Sequence, residues 1–481
     1  MERRGSTNRW VVLVLVCFAQ FMVVLDATVV NVALPSIQKD LGLSEANLQW
    51  IINAYTLVFG GFLLLGGRAG DLLGRKRLFL FGLVVFTIAS LLNGLSQTSG
   101  MLIGCRALQG LGAAFISPAA LAIITTTFEE GAERAKALGV WAAIAIGGSA
   151  IGLVLGGALT QLLSWPWIFF VNVPVGIAVF LLSVRDVPES RDETAQRSFD
   201  IAGAVSVTGG LMTLVYAIVE AQQDGWTSAR TLGLFALAVV LLVVFVVIEM
   251  RSKAPLVRLS IFRVRSLTAA NISMFLVASG LFAMFFFNTL YIQRVLGYGP
   301  LEAGLAFLPF TGGIMVSAGL ASKFAPRVGV RPVGVFGMVV TIAGMALLTQ
   351  ISANGSYAAD ALPGLVVTSL GLGFVFVPLT LIATTGLDDD DQGLASGLFN
   401  TSQQIGGALG LAILASLAAS KTSGATGVSQ SEALVQGFHV AFAGGAAFVG
   451  LALLGFLALV RGRDVARIEA EAAATAPAGS L

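Results

Sequence analysis

The chain is a succession of long apolar runs interrupted by short polar or glycine-bearing connectors. A helix needs about 20 apolar residues to cross roughly 30 Å of hydrocarbon. Windows of that length fit about fourteen times, near residues 10–34, 48–67, 78–97, 101–127, 138–162, 168–184, 200–220, 231–250, 266–290, 302–321, 333–350, 360–385, 393–418 and 435–460. Segments such as Gly74-Arg75-Lys76-Arg77, Arg185-Asp186-Val187-Pro188 and Ala353-Asn354-Gly355-Ser356 separate them. The pattern predicts an all-α polytopic membrane protein, in which fourteen spans rather than twelve depend on the seventh and eighth windows.

Composition agrees, with 56% apolar and 11% charged residues among 481 and a mean hydropathy of +0.89, values that exclude an ordinary soluble domain. Arginines followed by an apolar run at the N-terminus resemble a signal peptide. That run is too long, contains Asp26 and lacks a small-residue cleavage site, so it reads as a retained span. Cys17 and Cys105 both lie in apolar runs and indicate neither a disulfide framework nor a metal cluster. One histidine, no acidic metal-binding pair and no Ser/His/Asp set at depth leave no catalytic constellation, so no enzyme activity, cofactor or metal is expected. No connector is long enough to be a soluble partner domain, and no nucleic-acid partner is expected.

Charge placement fixes an expected topology. With the N-terminus inside, all of the 28 Lys and Arg fall in cytoplasmic segments except Lys39, Arg106, Arg230, Arg294 and Lys421. The positive-inside rule therefore puts both termini in the cytoplasm. Trp50, Trp165, Trp167, Trp226, Tyr291 and Tyr298 then gather at outer span ends, as an aromatic belt does.

Asp26 is the one acid set well inside an apolar run. A carboxylate in hydrocarbon is costly unless paired, hydrated or protonated, and it marks an ion or proton site by default. At 1.5 Å per residue it lies about 24 Å from Trp10, and Arg106 lies about 8 Å into a span that enters from the other side. The two charges therefore sit at comparable depth. A carboxylate balanced between desolvation and a neighbouring cation can take a proton in one conformation and release it in another; a static pair that only fixes helix packing is the alternative.

Other positions carry weaker signals. Span 5 carries Gly148, Gly152, Gly156 and Gly157, and glycines four apart line one helix face and let a neighbouring backbone come close, as simple packing also would. In the connector after span 2, Gly67, Asp71, Gly74, Arg75, Lys76 and Arg77 suggest an inner gate, with Asp71 pairing with a cation or a helix N-terminus and Arg134 as one partner. Asn31, Asn53, Tyr55, Gln109, Asn288, Asn400 and Gln404 are polar at depth and could face a substrate cavity or bond between helices. His439 is read as packing. The connector 67–77 after span 2 and 319–331 after span 10 are similar basic, glycine-bearing segments, which implies two related bundles around a central site.

These motifs together resemble the major facilitator superfamily, in particular its fourteen-span drug:proton antiporter branch. The carriers of the resemblance are Leu25 to Pro35, Gly67 to Arg77, Arg106 to Gly112 and Gly148 to Gly157, with local similarity at Trp165 to Pro174 and Gly397 to Gly407. Leu153 stands where the span 5 motif usually has proline, and Gln403 where some relatives are basic. The resemblance implies the major-facilitator fold: an N-terminal six-helix bundle (10–184), two inserted helices (200–250), a C-terminal six-helix bundle (266–460) and a disordered cytoplasmic tail (461–481). It also implies a proton-coupled antiporter of the bacterial cytoplasmic membrane, exporting amphipathic drugs or antibiotics as a monomer in the bilayer. Asp26 and Arg106 would couple protons, the coupling ion, and the span 5 glycines would form the antiporter helix. A proton-coupled uptake symporter for a small metabolite is the alternative with the same fold.

Overall fold

The computed structural model describes residues 8–128, 131–191, 200–252, 255–384 and 389–460. Among them there is no strand, and the chain forms two compact units. The first, residues 1–256 with 299–305, contains α1 (Arg9–Leu41), α2 (Glu45–Leu48), α3 (Trp50–Leu73), α4 (Arg75–Gly94), α5 (Ser99–Thr127), α6 (Ala132–Leu162), α7 (Trp167–Phe170), α8 (Asn172–Asp186), α9 (Ile201–Asp224) and α10 (Ala229–Arg251). The second, residues 257–298 with 306–481, contains α11 (Arg265–Leu290), α13 (Leu308–Val328), α14 (Val330–Leu348), α15 (Leu362–Thr384), α16 (Asp389–Ser423) and α17 (Gln430–Leu459), and α12 (Pro300–Ala306) precedes α13. Thirteen helices among the described residues are long and apolar enough to cross a membrane. α6 is 31 residues long, and its apolar stretch Gly147–Leu162 is shorter than those thirteen.

Within the first unit, α1 packs on α6, α5 lies against both α3 and α4, and α9 pairs with α10 and touches α3. Small residues decide where these helices meet. A side chain at Gly66 would strike the Ala114 carbonyl and one at Gly110 the Tyr55 carbonyl, so α3 and α5 cross nearly backbone to backbone. Within the second unit, α14 pairs with α15 and α11 with α16 and α17. There Arg265 donates to the carbonyls of Leu459 (2.9 Å) and Ala458 (3.0 Å), and Arg331 to that of Leu457 (3.0 Å). Two cations thus satisfy the last turn of α17, where carbonyls lack helical partners and the helix dipole is negative.

The connectors at 67–77 and 319–331 differ from loops. α3 runs on to Leu73 and α13 to Val328, and a single glycine breaks each pair: Gly74 at φ 108° and Gly329 at φ 99°. Backbone in that region is open to glycine and strained for other residues, so the rest of each segment stays helical despite its glycines and charges. The shared break is also the clearest trace of a repeat. The tail 461–481 lies outside the described residues.

Candidate functional site

Arg106 and Gln109 stand three residues apart on α5 and therefore share a face. Because Gly110 lets α3 come close, Arg106 Nε reaches the Ile51 carbonyl at 3.0 Å. Its Nη1 pairs with Asp26 Oδ2 at 2.5 Å and donates to Gln109 Oε1 at 2.7 Å, and its guanidinium lies over the Tyr55 ring, 4.3 Å from the centroid. Gln109 Nε2 donates to Asp26 Oδ1 at 2.7 Å, as Asn172 Nδ2 does at 3.2 Å. Asp26 is 0% and Arg106 1% exposed, so the pair has left water entirely. Taking two charges out of water is tolerable only when they are paired and hydrogen-bonded, and here both Asp26 oxygens accept while Arg106 donates through Nε and Nη1.

Three donors converge on Asp26, an arrangement complementary to an ionised carboxylate. Arg106 has other anchors in the Ile51 carbonyl, Gln109 Oε1 and the Tyr55 face, so it can remain in place if Asp26 loses its charge. Gln109 is itself oriented by α4, since Ser90 Oγ accepts from its Nε2 and Asn93 Nδ2 donates to its Oε1, each at 2.7 Å.

The other face of α1 is set by the span 5 glycines. Gly148 faces Phe21 and Val24, Gly152 faces Leu25 and Thr28, and Gly156 faces Val29. Gly157 points elsewhere, toward Pro300 and Leu301. α6 runs unbroken through Leu153. A Cβ at Gly156 would lie 2.5 Å from Val29 Cγ2 and 2.8 Å from the Val29 carbonyl oxygen. Gly156→Val is therefore expected to lower stability by about 1–3 kcal/mol through overpacking. Thermal unfolding in detergent checks this, with Gly147→Ala, where no neighbour lies within 4 Å, expected to be harmless.

At the connector, Gly67 makes only ordinary contact with Pro118. The side chain of Asp71 lies outside the described residues, and with it the expected pairing. The acid found at the N-terminus of α4 is Glu189, whose two oxygens accept from the amides of Lys76 (3.1 Å) and Arg77 (3.2 Å). Arg77 Nε stands 3.7 Å from the same carboxylate, Lys76 Nζ donates to the Val184 carbonyl at 2.7 Å, and the Arg75 amide donates to Ser190 at 2.9 Å. These contacts tie the end of α8 to the start of α4 as a side-chain cap. Removing the carboxylate in Glu189→Ala is expected to cost about 0.5–2 kcal/mol, visible as faster hydrogen exchange at the Lys76 and Arg77 amides.

The remaining polar positions divide. Tyr55 and Gln109 belong to the ion-pair network. Asn31 turns back to the Ala27 carbonyl (3.2 Å) and Asn400 to that of Ser396 (3.0 Å). Asn288 donates to Met284 (2.9 Å) while its buried oxygen has no partner, and Gln404 is half-buried. Asn53 is fully buried, and neither of its amide atoms finds a protein partner. His439 Nε2 lies 2.7 Å from the Ile351 carbonyl, a packing bond. Sequence reasoning missed Ser90, Asn93, Asn172 and Glu189. A polar pair three residues apart on α4 and an asparagine next to the α7 break were the available signals.

The general family model for the Major Facilitator Superfamily matches residues 16–411. The chain is 40% identical over 480 residues to the puromycin resistance protein of Streptomyces alboniger, covering 98% of this chain and 95% of that protein. It is 40% identical over 418 residues to the cephamycin export protein of Amycolatopsis lactamdurans, with 86% and 85% covered. It is 35% identical over 412 residues to the tetracenomycin C resistance and export protein of Streptomyces glaucescens, with 86% and 76% covered. In fold, it resembles the crystal structure of a bacterial homologue of the human lysosomal transporter Spinster, with TM-score 0.67 at 16% identity, covering 96% of this chain and 99% of that one. The all-helical architecture, the match across most of the sequence and the transporter fold agree: this chain belongs to the major facilitator superfamily.

Proposed function

We propose that this membrane transporter exports amphipathic antibiotics or drugs across the bacterial cytoplasmic membrane in exchange for protons, with both termini cytoplasmic and the monomer as the working unit. Export as the direction of transport is supported by the names of its relatives, which are resistance and export proteins. Proton coupling rests on one observation: a fully buried acid held by a guanidinium that keeps other anchors.

In this reading Asp26 carries the proton. Paired with Arg106 it is charged; when substrate release and conformational change loosen the pair, it is loaded from outside, and Arg106 stays on Ile51, Gln109 and the Tyr55 ring. Gln109 and Asn172 orient the carboxylate, and the α6 glycines keep α1 seated while it moves. Asn53, with an unfilled donor and acceptor, would contact substrate, since buried polar groups otherwise find partners. With one such acid the exchange is one proton per cycle, and no metal or organic cofactor takes part.

A toxic-compound panel in a host stripped of its own pumps tests the proposal, comparing wild type with Asp26→Asn at matched expression. Wild type is expected to raise the tolerated concentration of several amphipathic compounds, and the variant none. Resistance carried equally by both would refute the coupling role.

A further inference from the structure

A groove of about 370 Å³ runs along the start of α1 between that helix and α6. Its walls are Val14, Cys17, Phe18 and Phe21 on one side and Val140 and Ile144 on the other, with Trp10 at its end, and every lining side chain is apolar. Val14 is 51% and Phe18 50% exposed at its opening, while Leu13 and Cys17 are buried at its floor. At 100° per residue, the lining positions Trp10, Leu13, Val14, Cys17, Phe18 and Phe21 are centred roughly opposite Asp26 on α1.

Its dimensions fit one leaflet. From Trp10, at the start of the apolar span, to Phe21 is eleven residues, about 16 Å of helix, against about 15 Å for half the hydrocarbon thickness. Its mouth is charged. Lys136 Nζ sits 5.1 Å from the Trp10 ring centroid, and Arg9 pairs with Glu133 beside it. Glu133, Lys136, Val140 and Ile144 follow helical spacing, so the charged mouth and the apolar wall are one continuous stripe of α6. Among the described residues Arg9 is matched by Glu133 and Lys136 faces the Trp10 ring, which leaves a cation at the end of the groove where the apolar span begins.

We infer that this groove holds one acyl chain of an anionic glycerophospholipid from the leaflet on the side of the N-terminus, with the lipid phosphate at Lys136 and Arg9. Aliphatic and aromatic walls take the chain, Trp10 marks the interface, and the cations select the headgroup charge. The site is separate from the Asp26 network, which lies on a different face of α1, and it does not depend on the proposed transport reaction.

The test uses the full-length protein in proteoliposomes containing a trace of phosphatidylglycerol or phosphatidylcholine with the same diazirine-bearing acyl chain, followed by peptide mass spectrometry. Adducts are expected at 13–21 and 140–144, with phosphatidylglycerol favoured about five-fold, the effect of roughly one net cation near the surface. Val14→Trp, which fills the groove, is expected to reduce these adducts about ten-fold while labelling of the lipid-exposed α10 is unchanged; that unchanged labelling, with a retained melting temperature, separates an emptied site from a misfolded protein. Lys136→Gln is expected to remove the headgroup preference and keep the adducts. Equal labelling of the groove and α10, equal labelling by the two lipids, or a Val14→Trp variant that labels like wild type would each overturn the assignment. So would loss of the adducts on adding ethidium, an amphipathic cation, which would make the groove a substrate site instead.

Discussion

Asp26→Asn is expected to convert an exporter that concentrates its substrate into one that only equilibrates it. One elementary charge crossing 100 mV is worth about 2.3 kcal/mol, which sustains a gradient of about 50-fold for a neutral substrate exchanged for one proton. Asparagine retains an oxygen that can accept from Arg106 but has no titratable proton to carry. Arg106 keeps the Ile51 carbonyl, Gln109 Oε1 and the Tyr55 face, so the variant should fold and still bind substrate. In inverted vesicles energised to a defined potential, wild type should accumulate a neutral substrate, while the variant should stop at equal concentrations on both sides. An Asp26→Asn variant that builds the same gradient would show that the proton travels elsewhere.

Arg106→Met is expected to have the largest effect on stability. It removes the cation from a carboxylate that is 0% exposed and leaves it with only the neutral amides of Gln109 and Asn172. Breaking a buried pair by deleting one partner typically costs about 3–5 kcal/mol, most of it the penalty of the charge left behind. The double variant Arg106→Met with Asp26→Asn removes both charges and should recover most of that loss. Melting of the four proteins in a common detergent gives the double-mutant cycle. Losses that simply add, with no recovery in the double variant, would mean that Asp26 and Arg106 do not depend on one another.

The part of the site legible in the sequence is the part that depth and spacing determine. Counting residues into each span brought Asp26 and Arg106 to the same level, and a four-residue glycine repeat marked the face of α6 that α1 rests on. Periodicity gives a height and a face for each helix but not the identity of its neighbour. Asn172 reaches Asp26 from 146 positions away, and Glu189 caps α4 from 113 away, so neither could be paired from local pattern. The connector after span 2 misled for another reason: its glycines and charges read as loop, yet Gly67 and Gly70 are tolerated inside α3 and only Gly74 leaves the helix. The polar residues at depth separate only in the folded structure, because a buried asparagine that turns back to its own helix and one with no partner look the same in sequence.

If Asp26 carries the exchanged proton, it gives that proton up when substrate binds. Adding substrate to lightly buffered, detergent-solubilised protein containing a pH-sensitive dye measures this directly. Saturable release of about one proton per protein is expected from wild type and none from Asp26→Asn at a concentration where both bind substrate. Equal release from both proteins, or no release from wild type that demonstrably binds, would contradict that role for Asp26.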